Sequence, residues 1–210
     1  MNHPIKAAAW LLLGLSVTAV ADADDKDNGK AKPATGEWVS LFDGKTLSGW
    51  TTADGTPGGW KVEDGAITSS GTASHLFSPR GDYKNFRYRA EVNINDKGNS
   101  GQYFRTAKGP GFPKGYEAQI NSTHGDPVKT GSIYNHVKVL KMLVPPDTWF
   151  TQEIEAVGNH IVVKVDGKTA VDYTDPKSSF TKGYFAFQHH DPTCHVKIRK
   201  VEVMELPDQD

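Results

Sequence analysis

The sequence predicts an all-β fold, a two-sheet antiparallel sandwich or jelly roll, with a closed barrel as the alternative. Three observations carry this expectation. Beyond Glu37 almost no window shows the 3.6-residue apolar period of a helix. Several windows instead alternate apolar and polar residues with period 2. These runs are short and recur at regular spacing, separated by turn formers drawn from 21 glycines and 12 prolines in 210 residues.

The elements follow in order. Lys6 precedes an apolar run over residues 7–20, and Ala19-Val20-Ala21 and Ala21-Asp22-Ala23 both offer small-x-small cleavage sites, so residues 1–21 have the layout of a secretory signal peptide. A membrane-spanning helix needs about 20 apolar residues. This run is shorter and meets Asp22, Asp24 and Asp25 at once, so no membrane span is expected in the mature chain. No cysteine stands near the cleavage site to carry a lipid. The expected destination is the periplasm or the outside of the cell. Residues 22–36 hold no large apolar side chain and are expected to be a flexible leader, and residues 37–206 a single domain.

Within that domain, residues 60–62 and 66–69 flank Glu63-Asp64-Gly65, a turn with glycine where a positive φ is needed. Phe86, Tyr88, Ala90, Val92 and Ile94 alternate with Arg87, Arg89, Glu91 and Asn93 as a long half-buried strand. Residues 150–157 lead through Gly158-Asn159 to Ile161, Val163 and Val165, then an Asp166-Gly167 hairpin turn and a strand over 169–173. Residues 183–190 and 195–206 supply the last strands. In the final one Val196 and Ile198 are out of phase with Val201 and Val203, which predicts a β-bulge or bend. Trp38, Phe42, Trp50, Trp60 and Trp149 are expected to be core plugs rather than sugar platforms.

The formal net charge is −1 with Lys and Arg scattered, so no basic stripe exists for a phosphate backbone and nucleic acid is not an expected partner. Cys194 is the only cysteine, which excludes an intrachain disulfide. Stability must come from packing. The segment 115–121 contains the feature that points to function. On a strand, Tyr116, Ala118 and Ile120 share one face while Glu117, Gln119 and Asn121 share the other. A carboxylate and two carboxamides in a row suit a groove for a hydroxyl-rich ligand, which makes carbohydrate the expected partner.

Several segments carry a resemblance. Leu41-Phe42-Asp43-Gly44-Lys45-Thr46-Leu47-Ser48-Gly49-Trp50 resembles the LF(N/D)GK(D/T)L-GW opening of the 3-keto-disaccharide hydrolase domain family. In the same order, Trp60 to Ile67 resembles its W-VEDG-L hairpin, Asn99-Ser100-Gly101 with Phe104-Arg105 its NSG-x-FR, Gly115 to Ile120 its GYE-QI, and Thr130-Gly131-Ser132-Ile133-Tyr134 its TGS-Y. Phe187-Gln188-His189-His190 resembles LQ-x-H, and Ile198-Arg199-Lys200-Val201 falls where the family has an FRNI-like strand. The chain departs from the family's common LQDHG, with His189 in place of the acid and Asp191 in place of the glycine.

The resemblance implies a concanavalin A-like jelly roll that cleaves glycosides already oxidised to a ketone at sugar carbon 3. Such a ketone acidifies the proton on carbon 2, so a base can start a β-elimination that expels the group on carbon 1, and water then adds to the enone. One base, one acid and a donor for the enolate oxygen suffice. His190 matches the family's histidine and is the expected proton-transfer residue. Glu117 is the expected acid or second base, and Arg105 the group that steadies the enolate or clamps hydroxyls. Asn99, Gln119, Tyr134 and Gln188 supply neutral donors and acceptors for substrate. Taken without the resemblance, Arg105 and Glu117 equally suit an internal ion pair bracing the sheet. A non-catalytic, lectin-like module is the alternative function, since fold does not fix function.

His189, His190, Asp191, Cys194 and His195 are metal-ligand types, yet neighbours His189 and His190 on a strand point to opposite faces, and the spacing fits no structural zinc pattern. No loop resembles a dedicated calcium motif. A divalent metal, calcium or a transition metal, is therefore unsupported by any clear motif, and no cofactor is predicted. A G-x-G-x-x-G fingerprint is also absent, so another enzyme is expected to make the ketone. Finally, Gln188 and His190 should face the groove together while Phe185 and Phe187 enter the core.

Overall fold

The computed structural model describes residue 1 and residues 36–208. The expected signal peptide beyond Met1 and the leader up to residue 35 lie outside the described residues. Among those described, the secondary structure is twelve β-strands: β1 (Trp38–Ser40), β2 (Trp60–Glu63), β3 (Ala66–Ser69), β4 (Ser74–Phe77), β5 (Phe86–Ile94), β6 (Ser100–Thr106), β7 (Tyr116–Ile120), β8 (Phe150–Val157), β9 (His160–Val165), β10 (Lys168–Thr174), β11 (Tyr184–His189) and β12 (Val196–Glu205). The larger of two antiparallel sheets runs β10-β9-β8-β5-β12-β3-β2, with β1 on the far half of β12. The smaller runs β4-β11-β6-β7. This is the expected two-sheet jelly roll.

Turn chemistry sets the hairpins. Asp64 and Gly65 (φ 51° and 75°) and Asp166 and Gly167 (φ 47° and 75°) all lie in the left-handed region, as two-residue hairpin turns of the primed type require. The phase change in β12 is a bulge between Arg199 and Glu202, with Lys200 at φ 49°. One extra residue there lets Val196, Ile198, Val201 and Val203 all enter the core.

Between the sheets, Phe86, Tyr88, Ala90, Val92 and Ile94 of β5 meet Leu76, Phe104, Tyr116, Phe185 and Phe187 of the smaller sheet. Tyr88 stacks on Phe185 at 3.9 Å between ring centroids, and Trp50 stacks on Phe187 at 5.9 Å. Burial of such rings is worth on the order of 2 kcal/mol each, which suits a chain without disulfides. Phe42, Trp50 and Trp60 are core residues, as expected. Trp38 and Trp149 are not. They lie half-buried on the outer side of the larger sheet beneath the guanidinium groups of Arg89 (3.9 Å) and Arg199 (4.0 Å), because the outward positions of β5 and β12 carry arginines paired to Glu202 and Glu91.

β4 and β6 gave no alternating signal in the sequence. The seven residues of β6 and the last three of β4 are buried. The smaller sheet is covered on both faces, by the core on one side and by loops on the other, and a strand buried on both faces loses its period of 2.

Candidate active site

The outer face of the smaller sheet, turned away from the core, gathers the polar residues. Strand register sets them out in rows. Phe77 pairs with Ala186, Ala186 with Tyr103, and Tyr103 with Glu117. In the next row His75 pairs with Gln188, and Gly101 with Gln119. The Tyr103 hydroxyl donates to Glu117 Oε2 (2.8 Å) and accepts from Gln188 Nε2 (3.2 Å). Gln119, with its amide turned to suit its neighbours, donates to Ser100 O (2.8 Å) and Glu117 Oε1 (3.2 Å). Gly101 is needed beneath them, since a Cβ there would lie 2.3 Å from Glu117 Oε1.

The segment after β7 closes one side. Ile133 bridges to Ala118, and Tyr134 N–H donates to Glu117 O (2.9 Å), so Tyr134 stands beside Glu117. Its hydroxyl donates to Asp126 Oδ2 (3.1 Å). Asn121 does not reach this face. It shapes the loop that carries Asp126, donating to Asp126 O and Val128 O and accepting from His124 N–H. β7 ends at Ile120, and past the strand the alternation of faces no longer holds.

Burial raises Glu117 to about 7, with the Asp126 charge adding to the rise and the Tyr103 hydrogen bond opposing it. Below that pH it is a carboxylic acid able to give a proton. Because the folded value lies above the unfolded 4.5, the stabilisation from holding this proton is complete below pH 4.5 and gone above about pH 7. Stability should therefore fall across that window by about 3 kcal/mol. Glu117→Gln should cancel the fall: urea unfolding should show variant and wild type alike near pH 4 and the variant about 3 kcal/mol more stable near pH 8. Parallel pH curves would remove the raised carboxyl from the account.

His190 follows β11 and faces the same side as Gln188. Its Nδ1 pairs with Asp191 Oδ2 at 2.8 Å. Asp191 is held down to about 2, chiefly by the Thr193 hydroxyl and also by His190, so it stays ionised and accepts the Nδ1 proton. This leaves His190 Nε2 as a bare acceptor. The ring lies 5.7 Å from that of His124 and 6.4 Å from that of Phe112 on the β6–β7 loop. His124 Nδ1 accepts from Asp126 N–H (3.1 Å), which puts the proton of its neutral ring on Nε2. Phe185 and Phe187 enter the core and Gln188 faces out, as the alternation predicted.

Arg105 is placed elsewhere, which corrects its expected role. A register shift in β6 sets Tyr103 and Thr106 opposite Ala186 and Tyr184, so Phe104 and Arg105 together oppose the single residue Phe185 and both turn from the outer face, with Arg105 at φ 48°. Its guanidinium is 1% exposed, 5.8 Å from the Phe86 ring, and donates to Lys84 O (2.6 and 2.8 Å), Gly158 O (2.6 Å) and Phe180 O (3.3 Å). It touches neither Glu117 nor the outer face, so the two do not form an ion pair either. Asn99, two residues before Gly101, is buried with Oδ1 unpartnered.

The ligand-type cluster is divided. His189 points inward to Ser69 Oγ (2.8 Å) and Gly71 O (3.2 Å), Cys194 is buried, and His190 turns outward to Asp191. Among the described residues no group of three or more His, Cys, Asp or Glu converges as a metal ion would need. A depression beside the β12 bulge, lined by Ser40, Phe42, Asp43, Arg199 and Glu202, has its arginine paired with Glu91 and its glutamate with Arg89. His75, Tyr103, Phe112, His124 and Asp126 were not marked as site residues by the sequence. His75 stands in a Ser- and Thr-rich stretch, Thr72-Ala73-Ser74-His75, where nothing in the sequence marked it.

A family model described as 3-keto-alpha-glucoside-1,2-lyase-like domain matches residues 37–204. No protein of curated function matches the sequence. Among solved structures, a protein of Parabacteroides distasonis ATCC 8503 described as a candidate glycosyl hydrolase superposes with a TM-score of 0.70 at 22% identity, covering 81% of this chain and 94% of that one. The carbohydrate-binding module CBM66 from Bacillus subtilis gives 0.57 at 20% identity over 75% and 96% of the two chains. A protein of unknown function with a galectin-like fold, also from Bacillus subtilis, gives 0.60 at 12% identity over 85% and 99%. At these identities the likeness is one of fold.

Proposed function

We propose, from the premise that this chain belongs to the 3-keto-alpha-glucoside-1,2-lyase-like domain family, that it cleaves glycosides whose sugar carries a ketone at carbon 3. One observation carries this reading: a histidine oriented by a carboxylate and a glutamic acid raised to about 7 stand on the same outer sheet face, among unpaired groups suited to hydroxyls. A pure lectin needs neither proton-transfer group.

His190 Nε2 removes the proton from carbon 2, and the electron pair moves onto the ketone oxygen as an enolate. His124 Nε2–H, beside His190, is the donor for that oxygen in place of Arg105. The enolate collapses to the ketone, its electron pair making the bond between carbons 1 and 2 double, the bond from carbon 1 to the glycosidic oxygen breaks, and Glu117 gives that oxygen its proton. Tyr103 and Gln119 keep the carboxyl in place. Water then adds at carbon 1 of the enone, giving a proton back to Glu117, while His190 returns its proton to carbon 2, and the sugar leaves as 3-keto-glucose. Asn99, Tyr134 and Gln188 hold the ring. Among the described residues no helix is long and apolar enough to cross a membrane. Export, to the periplasm or beyond, belongs to this proposal on the strength of the N-terminal sequence.

The test incubates purified protein with a 3-keto-disaccharide and with its unoxidised parent, following sugar release by mass spectrometry. Release of 3-keto-glucose from the first alone is expected. Turnover of neither, together with measurable binding of ordinary glycans, would replace the enzyme by a carbohydrate-binding module.

A further inference from the structure

The reaction gives Gln188 a part in holding the ring and leaves its neighbour His75 on the outer face without a role. His75 of β4 and Gln188 of β11 are cross-strand partners, so their side chains stand on one face with Cβ atoms about 5 Å apart. They are 7% and 2% exposed. Each keeps one buried polar atom without a hydrogen-bond partner, His75 Nε2 and Gln188 Oε1. A buried polar atom left unpaired opposes folding, and most such atoms in a native protein find a partner. Two unpaired atoms on cross-strand partners mark a place where a ligand completes the hydrogen bonding.

The chemistry of the pair selects the ligand group. Burial, with a smaller contribution from the nearby His190 ring, pushes His75 down to about 4, so its ring is neutral at working pH with one N–H and one bare nitrogen. Gln188 Nε2 is committed to Tyr103, and the free Oε1 only accepts. A hydroxyl has one proton to give and lone pairs to receive. It can donate to Gln188 Oε1 while accepting from His75 Nε2–H. A ketone or an ether oxygen brings no proton and leaves Gln188 Oε1 unpaired.

We propose that His75 and Gln188 form a subsite that holds one hydroxyl of the sugar and rejects its ketone. The subsite thereby orients the ring, since the oxidised carbon must lie away from it. Entry is past Phe112, whose ring rests against His75 at 6.2 Å between centroids and is otherwise in solvent, 71% exposed. The same ring touches His190, so a sugar that displaces it comes within reach of both groups. This inference rests on the preceding reading for the identity of the sugar, and on His75 and Gln188 alone for the hydroxyl.

His75→Phe keeps an aromatic ring against Tyr103 and removes Nε2. With a 3-keto-disaccharide that the wild type cleaves, KM should rise about 10- to 100-fold while kcat changes less than severalfold. The melting temperature should hold or rise, because an unpaired buried nitrogen has gone. Among 3-keto-glucosides lacking one hydroxyl each, one should bind the wild type about 10- to 100-fold more weakly than the parent. His75→Phe should bind that analogue and the parent alike. An unchanged KM overturns the subsite, as does a KM rise that comes with a lower melting temperature or is equal for the parent and every deoxy analogue. If the wild type cleaves no 3-keto-glycoside, the reaction is wrong and the subsite is tested by calorimetry with unoxidised glucosides: weaker binding by His75→Phe keeps it, and equal binding overturns it.

Discussion

Replacing His190 with alanine should lower kcat on a 3-keto-disaccharide by about 10² to 10⁴, the range that a positioned proton-transfer group contributes. The expectation comes from geometry. Asp191 fixes the ring through Nδ1 at 2.8 Å, and Nε2 is left to accept a proton on the face that also holds Glu117. KM should move little, because the role is in the transition state. Asp191→Ala should cost less than the histidine replacement, since it frees the tautomer and orientation of the ring without removing it. Half-buried His190 lies at the end of a strand whose Phe185 and Phe187 hold the core, so the fold should survive its loss. Single-turnover kinetics on folded variant protein check the result. Activity within severalfold of wild type would take His190 out of the proton-transfer role.

Replacing Arg105 with methionine should give the opposite pattern, a large loss of stability with turnover per folded molecule retained. The guanidinium satisfies backbone oxygens of Lys84, Gly158 and Phe180 from three separate segments. Methionine keeps apolar volume but leaves those carbonyls buried and unpaired at about 1 to 3 kcal/mol each, for a total of about 3 to 5 kcal/mol after relaxation. For a domain of this size that is a fall of roughly 6 to 20 °C in melting temperature. Arg105→Lys should recover only part, since a single ammonium cannot reproduce the fork that reaches Lys84 O through two nitrogens. A variant that melts like wild type but loses kcat would return Arg105 to the active site.

How much was legible in advance varied with the kind of burial. β5, β8 and β9 have one face in the core and one toward solvent, so alternation marked them. The hairpin turns were legible because few residues tolerate positive φ at two successive positions. β4 and β6 were not, since both of their faces are covered and the chain shows an unbroken buried run. His75 was hidden with β4. Arg105 was misplaced because one bulged residue reverses every assignment of face beyond it. The β12 bulge could be foreseen, for there both phases carry valine or isoleucine and their mismatch is visible; in β6 the bulged residues are a phenylalanine and an arginine, and nothing in the letters shows which way the arginine turns.

By itself the sequence determined the all-β class, the main hairpins, the bulge in β12 and the opposite faces of Glu117 and Tyr116, all of which follow from short-range sterics and a period of 2. Tertiary structure alone decided which polar residues share a surface. Gln188 meets His75 only because β4 and β11, far apart in the chain, pair in one register, and Tyr103 bridges Gln188 to Glu117 only because β6 lies between β11 and β7. The proton affinity of Glu117 was decided there as well, since a carboxyl in water stays near its ordinary value and only the covering loops and the nearby Asp126 raise it.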